Sequence, residues 1–262
     1  MNETLSLINN RKSLRAYDSA PLEREKIDTI IKSAMRAPTA GNMMMYSIIE
    51  ITQQETKDKL SQTCDNQPFI AKAPLVLLFL ADMQRWYDFY TYSKVPEYCD
   101  QHGLKLETPQ ESDLMLACCD ALIAAQTAVI AAESIGIGSC YIGDIMENFE
   151  IHKELFKLPD FTFPITLVCF GKYKPSYLTQ KPRPRFDQQY IHFKDRYQRI
   201  SEDGFGKMYA HLENEDPSAY LKDAVNYGQH NYLRKTGAAY SEEMRRSVKA
   251  AIKSWKKAKP CD

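Results

Sequence analysis

The chain has 262 residues, 44% of them hydrophobic, and its 34 basic side chains balance 34 acidic ones. That length buries a sizeable core, as one large domain or two small ones, and the balanced charge gives no net field favouring nucleic acid or an anionic membrane. Neither apolar stretch reads as a bilayer span: 73–81 is too short, and 114–132 is interrupted by Asp120 and Gln126 and closed by Glu133.

The N-terminus lacks a charged-then-apolar leader pattern, so a cytoplasmic protein is expected. Residues 3–9 read as a short helix ending at Asn9 and Asn10. The segment 11–17 reads as extended and 18–21 as a turn. From Leu22 to Met35, the residues Leu22, Ile27, Ile30, Ile31, Ala34 and Met35 fit one helical face. Ala37-Pro38-Thr39-Ala40-Gly41-Asn42 breaks that helix. A β-like run covers 43–52, a polar helix 55–64, and 75–80 is an apolar strand of the kind buried on both faces. Residues 84–112, rich in Tyr and charge and containing Pro96, Gly103 and Pro109, read as a surface excursion or lid with little regular structure.

A long Ala-rich helix is predicted over 112–134, apolar around much of its circumference and so buried in a core or a subunit interface. It stops at Gly136. A short strand is expected at 140–142 and a buried one at 165–171; a basic, Pro-rich stretch follows, and a last helix spans 241–257. No repeat is apparent. The reading is one domain over 1–200 with a C-terminal extension, 201–262, packed on the same domain or on a partner subunit.

Seven cysteines, at positions 64, 99, 118, 119, 140, 169 and 261, form no C-x-x-C pair and read as reduced thiols. The five histidines have no metal-ligand spacing, so no metal is expected. Chemistry rests on four other elements. In the extended segment, Arg11, Ser13 and Arg15 share a face, and two guanidinium forks flanking a hydroxyl suit a phosphate. Taken alone, the segment reads better as a solvated basic stretch. In Lys181-Pro182-Arg183-Pro184-Arg185, alternating prolines stiffen a cationic comb, equally a phosphate ligand or a solubilising loop. Convergence of both clusters would favour the phosphate reading.

Gly136-Ile137-Gly138-Ser139-Cys140-Tyr141-Ile142-Gly143-Asp144 follows a helix and has the wrong spacing for a dinucleotide fingerprint or a P-loop. Gly136 reads as a helix stop, Gly138 as a second turn residue and Gly143 as a point of close backbone approach. The small residues 37–42 would let a flat ligand lie close, while Met43, Met44 and Met45 read as core filler.

In combination and order these elements resemble the nitroreductase family. They are Arg11-x-Ser13-x-Arg15-x-Tyr17, the Ala37–Asn42 stretch, Ala73-Pro74 before a strand, the run from Ala131 to Gly143, and a strand ending in Gly171. The Lys181-Pro182-Arg183 element resembles that of the larger NADPH-dependent nitroreductase and flavin reductase subgroup. The resemblance implies an α+β fold with a central mixed sheet flanked by helices, a long buried central helix, and FMN held at a homodimer interface. It implies hydride transfer from NADPH or NADH through flavin N5 to a small acceptor such as a nitroaromatic, a quinone or a flavin. The alternatives are a reductase releasing free reduced flavin and a non-catalytic FMN-binding protein. By motif, Arg11, Lys12, Ser13, Arg15, Lys181 and Arg183 match the phosphate-binding clusters. Thr39 matches a flavin-contacting position, Gln67 a residue near the polar ring edge, and Tyr141, Ile142, Gly143 and Asp144 the segment along the ring. No side chain is expected to be catalytic in itself, since the flavin carries the chemistry. Asp144 departs from the pattern, which often has a second glycine there. A nucleotide- or phosphate-binding module without flavin would rest on the basic clusters alone.

Overall fold

The computed structural model describes all residues except 1, 19, 214–217, 219 and 258–262. Cys261 therefore lies outside the described residues. The helices are α1 (Glu3–Asn10), α2 (Arg24–Ala34), α3 (Gln54–Thr63), α4 (Gln84–Tyr92), α5 (Val95–Gln101), α6 (Glu111–Ser134), α7 (Phe149–Leu155), α8 (Pro175–Leu178), α9 (Glu202–Glu213), α10 (Tyr227–Arg234) and α11 (Ala239–Lys257). The strands are β1 (Tyr46–Glu50), β2 (Leu75–Asp82), β3 (Ile137–Ile142) and β4 (Thr162–Lys172).

The strands form one sheet in the order β1-β2-β4-β3, and every pair is antiparallel. The sheet is therefore antiparallel, not mixed as expected. Its one parallel element among the described residues is an isolated bridge from Ser13 to Ser139 beside β3. The chain returns to each strand through a reversal, so parallel pairing is left to a segment that never becomes a strand. All eight residues of β2 are buried, as their unbroken apolar run requires. One face of the sheet packs Leu77, Phe79, Val168 and Phe170 against Ala121, Ala125, Ala128 and Ala132 of α6 and Ile30 of α2. The alanines let the helix approach the strands closely. The other face packs Leu78, Leu80, Leu167 and Cys169 against Leu60 and Cys64.

Gln110 and Asp113 form a capping box that starts α6. This helix has the length and apolarity of a membrane span, yet one side is sealed in the core. It is not buried all round: Met115, Leu116, Leu122 and Ile123 are exposed.

The 84–112 region is more regular than expected. It contains α4 and α5, because Pro96 lies in the first turn of α5, where the missing N–H costs nothing. In α4, Trp86, Phe89 and Tyr90 meet at helical spacing, with ring centroids 5.9 and 5.7 Å apart.

The chain divides into two compact units, residues 1–182 with 243–262, and residues 183–242. In the second unit, Phe186 meets Tyr209 at 5.1 Å and Tyr220 stacks on His230 at 4.9 Å. In the first, Trp255 of α11 is buried against Phe161 and donates to Pro109 O at 3.2 Å.

Candidate active site

The segment after α1 runs extended beside β3. Leu14 N donates to Ser139 O at 2.8 Å, and Tyr17 bridges Tyr173. Leu14 is fully buried, so its alternate neighbours turn the other way. Arg11, Ser13 and Arg15 all act on the Cys140 thiol: burial raises its pKa, and Arg15, Arg11 and a hydrogen bond from Ser13 oppose that. The three expected residues thus share one side. Arg15 also lies over the Phe69 ring, 5.9 Å from its centroid. Among the described residues, none of Arg11, Arg15, Lys181 and Arg183 is ion-paired to a carboxylate.

Lys12 faces differently. Its ammonium donates to Tyr177 O and Gln180 O, each at 2.6 Å. It closes the chain reversal after α8, and Lys181 is the next residue along. Arg183 begins the second unit.

Gly138 lies within β3 and is not a turn residue. A Cβ there would stand 2.5 Å from Tyr173 Cζ and 2.9 Å from Leu14 Cδ2. Close approach therefore occurs at Gly138, where Tyr173 packs over the strand and donates to Glu133 Oε1 at 2.8 Å. At Gly143, by contrast, the nearest atom to an added Cβ is Met146 Cε at 3.9 Å. Gly136 stops α6 with φ +76°, as expected.

The small-residue stretch forms a tight loop. Gly41, Asn42 and Met44 all have positive φ, at 56°, 57° and 50°, and non-glycine residues hold that conformation only when their surroundings impose it. Here the surroundings are explicit. Asp120 of α6 accepts from Ala40 N at 3.0 Å and Met45 N at 3.1 Å. Thr39 Oγ1 accepts from Met44 N at 3.1 Å. From α4, Trp86 Nε1 donates to Met43 O at 2.8 Å and Arg85 to Tyr46 O at 2.8 Å.

The third side is the end of β3. Ile142 is buried and Tyr141 half-buried, with the Tyr141 hydroxyl donating to Gln126 at 3.2 Å. Gly143–Met146 then forms a single 3-10 turn. Within it, Asp144 Oδ2 accepts from Gln67 Nε2 at 2.7 Å. Gln67, expected near the polar ring edge, and Asp144, expected in the segment along the ring, are thus joined directly across 77 positions. Gln67 Nε2 also donates to Cys64 O at 3.0 Å, and it follows a bend in which Asp65 and Asn66 have positive φ.

Motif reading missed the residues that support this turn. Glu147 is 4% exposed and its Oε1 has no hydrogen-bond partner. Burial, reinforced by Asp144, Asp65 and Glu243, pushes its carboxyl up to about 8. Ser247 of α11 is fully buried; it donates to Met146 O at 2.6 Å and accepts from Phe149 N at 2.8 Å. Glu243 accepts from Asn148 N at 3.1 Å. His152 bonds Thr63 Oγ1 and Ile145 O, both at 2.9 Å. Nothing local in the sequence marks Ser247 or Glu243, since both sit in a polar helix. Asp120 was detectable as an acid within an Ala-rich helix, because a buried carboxylate needs donors.

Comparison with known proteins bears on the family and the fold. The nitroreductase family model matches residues 8–172. An FMN reductase (NADPH) of Bacillus subtilis is 34% identical over 197 residues, 75% of each chain. An FMN reductase [NAD(P)H] of the same organism is 30% identical over 247 residues, 93% of each chain. Nitroreductase A from Vibrio parahaemolyticus superposes with a TM-score of 0.77 over 96% of this chain and 98% of its own; at 22% identity, this likeness is one of fold.

Proposed function

Because the chain belongs to the nitroreductase family, and is an FMN-dependent NAD(P)H oxidoreductase, we propose that the three sides described above hold the flavin. FMN, when bound, supplies a two-electron centre that takes hydride from NADPH or NADH and hands it to a small acceptor. The residues present suit such a group. One extended face carries Arg11, Ser13 and Arg15; among the described residues neither arginine forms a salt bridge, and the half-buried Glu133 carboxyl is the acid within electrostatic reach of Arg11. That clustering of guanidinium groups outside any salt bridge is the observation that carries the assignment, since like charges are held together most readily around an anion.

In this reading Arg11, Ser13 and Arg15 bind the phosphate, and Lys181, at the end of the same unit, adds to the same charge. Lys12 contributes by fixing the turn ahead of Lys181 through Tyr177 O and Gln180 O. Thr39 and its strained loop border the ring on one side, with Tyr141, Ile142, Gly143 and Asp144 on another. At Gly143 only the flexible end of Met146 comes within 4 Å of where a Cβ would stand, so no backbone closes over that position. Both amide protons of Gln67 are engaged by Asp144 and Cys64, so what Gln67 offers a ligand is its carbonyl oxygen, an acceptor for a ring N–H.

The exposed side of α6 carries Met115, Leu116, Leu122 and Ile123, and α1, which packs on α6, exposes Leu5 and Ile8. A second copy of the chain covering this surface makes the protein a homodimer. A cytoplasmic location is part of the same proposal.

The test is anaerobic titration of the purified, FMN-loaded protein with NADPH and with NADH. Bleaching of the flavin absorption is expected. A protein that takes up no FMN, or stays yellow with both nicotinamides, overturns the reading. The relatives' names as FMN reductases favour free flavin as an acceptor. Steady-state rates with free FMN against a nitroaromatic separate that reading from nitro reduction.

A further inference from the structure

Tyr173 and Glu133 form a pair that the flavin chemistry does not use. Tyr173 stands just beyond β4, and Glu133 lies in the last turn of α6. The Tyr173 hydroxyl donates to Oε1 of Glu133 at 2.8 Å and to Oε2 at 3.1 Å, so both carboxylate oxygens gather on one neutral donor. Both side chains are half-buried. An acid at the C-terminal end of a helix faces the negative end of the helix dipole, and it gains from any cation it can reach.

Arg11 and Lys12 both lie within electrostatic reach of that carboxylate. The Lys12 ammonium is committed to Tyr177 O and Gln180 O. Arg11 follows directly on α1, which packs against α6, and its guanidinium donates only weakly, to Lys12 O at 3.5 Å. Among the described residues it forms no ion pair, with Glu133 or with another acid. A guanidinium beside a half-buried carboxylate ordinarily closes into a two-pronged pair. Here the carboxylate is turned to the tyrosine instead. Packing holds the tyrosine in place. Its ring lies over Gly138, where a Cβ would stand 2.5 Å from Tyr173 Cζ and 2.9 Å from Leu14 Cδ2. Its backbone bridges Tyr17, at the far end of the arginine segment. Burial and the neighbouring Glu133 both keep the phenol protonated, so it remains the donor of the pair.

We propose that Tyr173 is a positioning residue for Arg11: by occupying both oxygens of Glu133 it keeps that acid from capturing the guanidinium, and so leaves Arg11 available to the flavin phosphate. The proposal rests on the phosphate assignment made above. Gly138 belongs to the same device, since a side chain there would displace the ring whose hydroxyl holds the acid. The device works by exchange of partners. With the hydroxyl in place, an incoming phosphate meets an unpaired guanidinium. Without it, Glu133 loses its donor, turns to Arg11 and competes with the phosphate for the same fork.

Paired variants and paired ligands test this. FMN and riboflavin, which differ by the phosphate, are titrated by fluorescence against the ligand-free wild type, Tyr173→Phe, Glu133→Gln and the double variant. The wild type should bind FMN more tightly than riboflavin. Tyr173→Phe keeps the ring over Gly138 and should bind FMN about fivefold more weakly, with riboflavin unchanged. Glu133→Gln has no charge with which to compete and should bind FMN at least as tightly as wild type. The double variant should match Glu133→Gln, because no acid is left at that position to take Arg11. A Tyr173 that served only packing would lower both flavins alike and would not be rescued by Glu133→Gln; that result overturns the proposal, as does a Tyr173→Phe affinity for FMN equal to wild type. A Glu133→Gln that binds FMN more weakly than wild type overturns the competing role of the acid. A wild type that binds both flavins equally overturns the phosphate assignment, and the role of Tyr173 with it. A wild type that prefers FMN, with no rescue in the double variant, overturns that role alone.

Discussion

Asp120 and Met45, 75 positions apart, are joined by a hydrogen bond of 3.1 Å from the Met45 N–H to Asp120 Oδ2, and the other carboxylate oxygen takes the N–H of Ala40 at 3.0 Å. One buried side chain thus holds both ends of the strained loop. Asp120→Asn keeps one acceptor but turns an NH2 toward the second N–H. It is expected to destabilise the fold by about 2 kcal/mol, and Asp120→Ala by about 3 kcal/mol. Urea unfolding checks both, and FMN affinity should fall in parallel, because Thr39 rides on this loop.

Lys12→Met should leave Tyr177 O and Gln180 O without their shared donor. The expected result is weaker FMN binding, by about tenfold, with little change in maximal rate once the site is filled. Fluorescence titration of FMN against wild type and variant decides it, and an unchanged dissociation constant would count against the strut.

Arg11→Ala and Arg15→Ala should each weaken FMN binding through lost phosphate contact, by about 1–3 kcal/mol. Both should also flatten the dependence of FMN affinity on salt. Riboflavin, which lacks the phosphate, should bind the variants and the wild type equally. A variant that loses riboflavin affinity as well would show that the arginine acts on the ring and not on the phosphate.

Two carboxyls predict opposite slopes of stability with pH. Glu147 titrates at about 8 in the fold against an ordinary 4.5, so its favourable contribution is full below 4.5 and is lost as pH rises to 8. Glu150, drawn down to about 2 by Arg246, contributes above 4.5 and loses that as pH falls towards 2; being largely exposed, it contributes less. Urea midpoints should therefore decline between about pH 5 and about pH 9 in the wild type. Glu147→Gln should remove most of that decline, and Arg246→Ala should change only the acid side.

Ile123→Glu places a charge on the exposed apolar side of α6 and should convert a dimer into monomers. Sedimentation velocity reads the change directly. The variant should keep its fold, because Ile123 is 41% exposed within the single chain, and a wild type that already sediments as a monomer removes the proposed interface.

Much of this molecule was legible in residue order. The apolar run of β2, the small-residue helix α6 and the glycine that stops it follow from burial and backbone geometry acting within a dozen residues. So did the shared face of Arg11, Ser13 and Arg15, because side chains alternate along any extended segment. The excursion at 84–112 was misread because Pro96 looks the same in sequence whether it breaks a helix or starts one. The mixed sheet was misread because strand direction depends on how the chain returns. Tertiary structure alone decided that Gly138 makes room for Tyr173, that Lys12 ties down a turn 165 residues away, and that Glu147 lies buried among Asp65, Asp144 and Glu243. Local rules assign a residue its conformation and its side. What that side meets depends on which distant segment packs there, and the fate of a buried charge is set wholly by that neighbour.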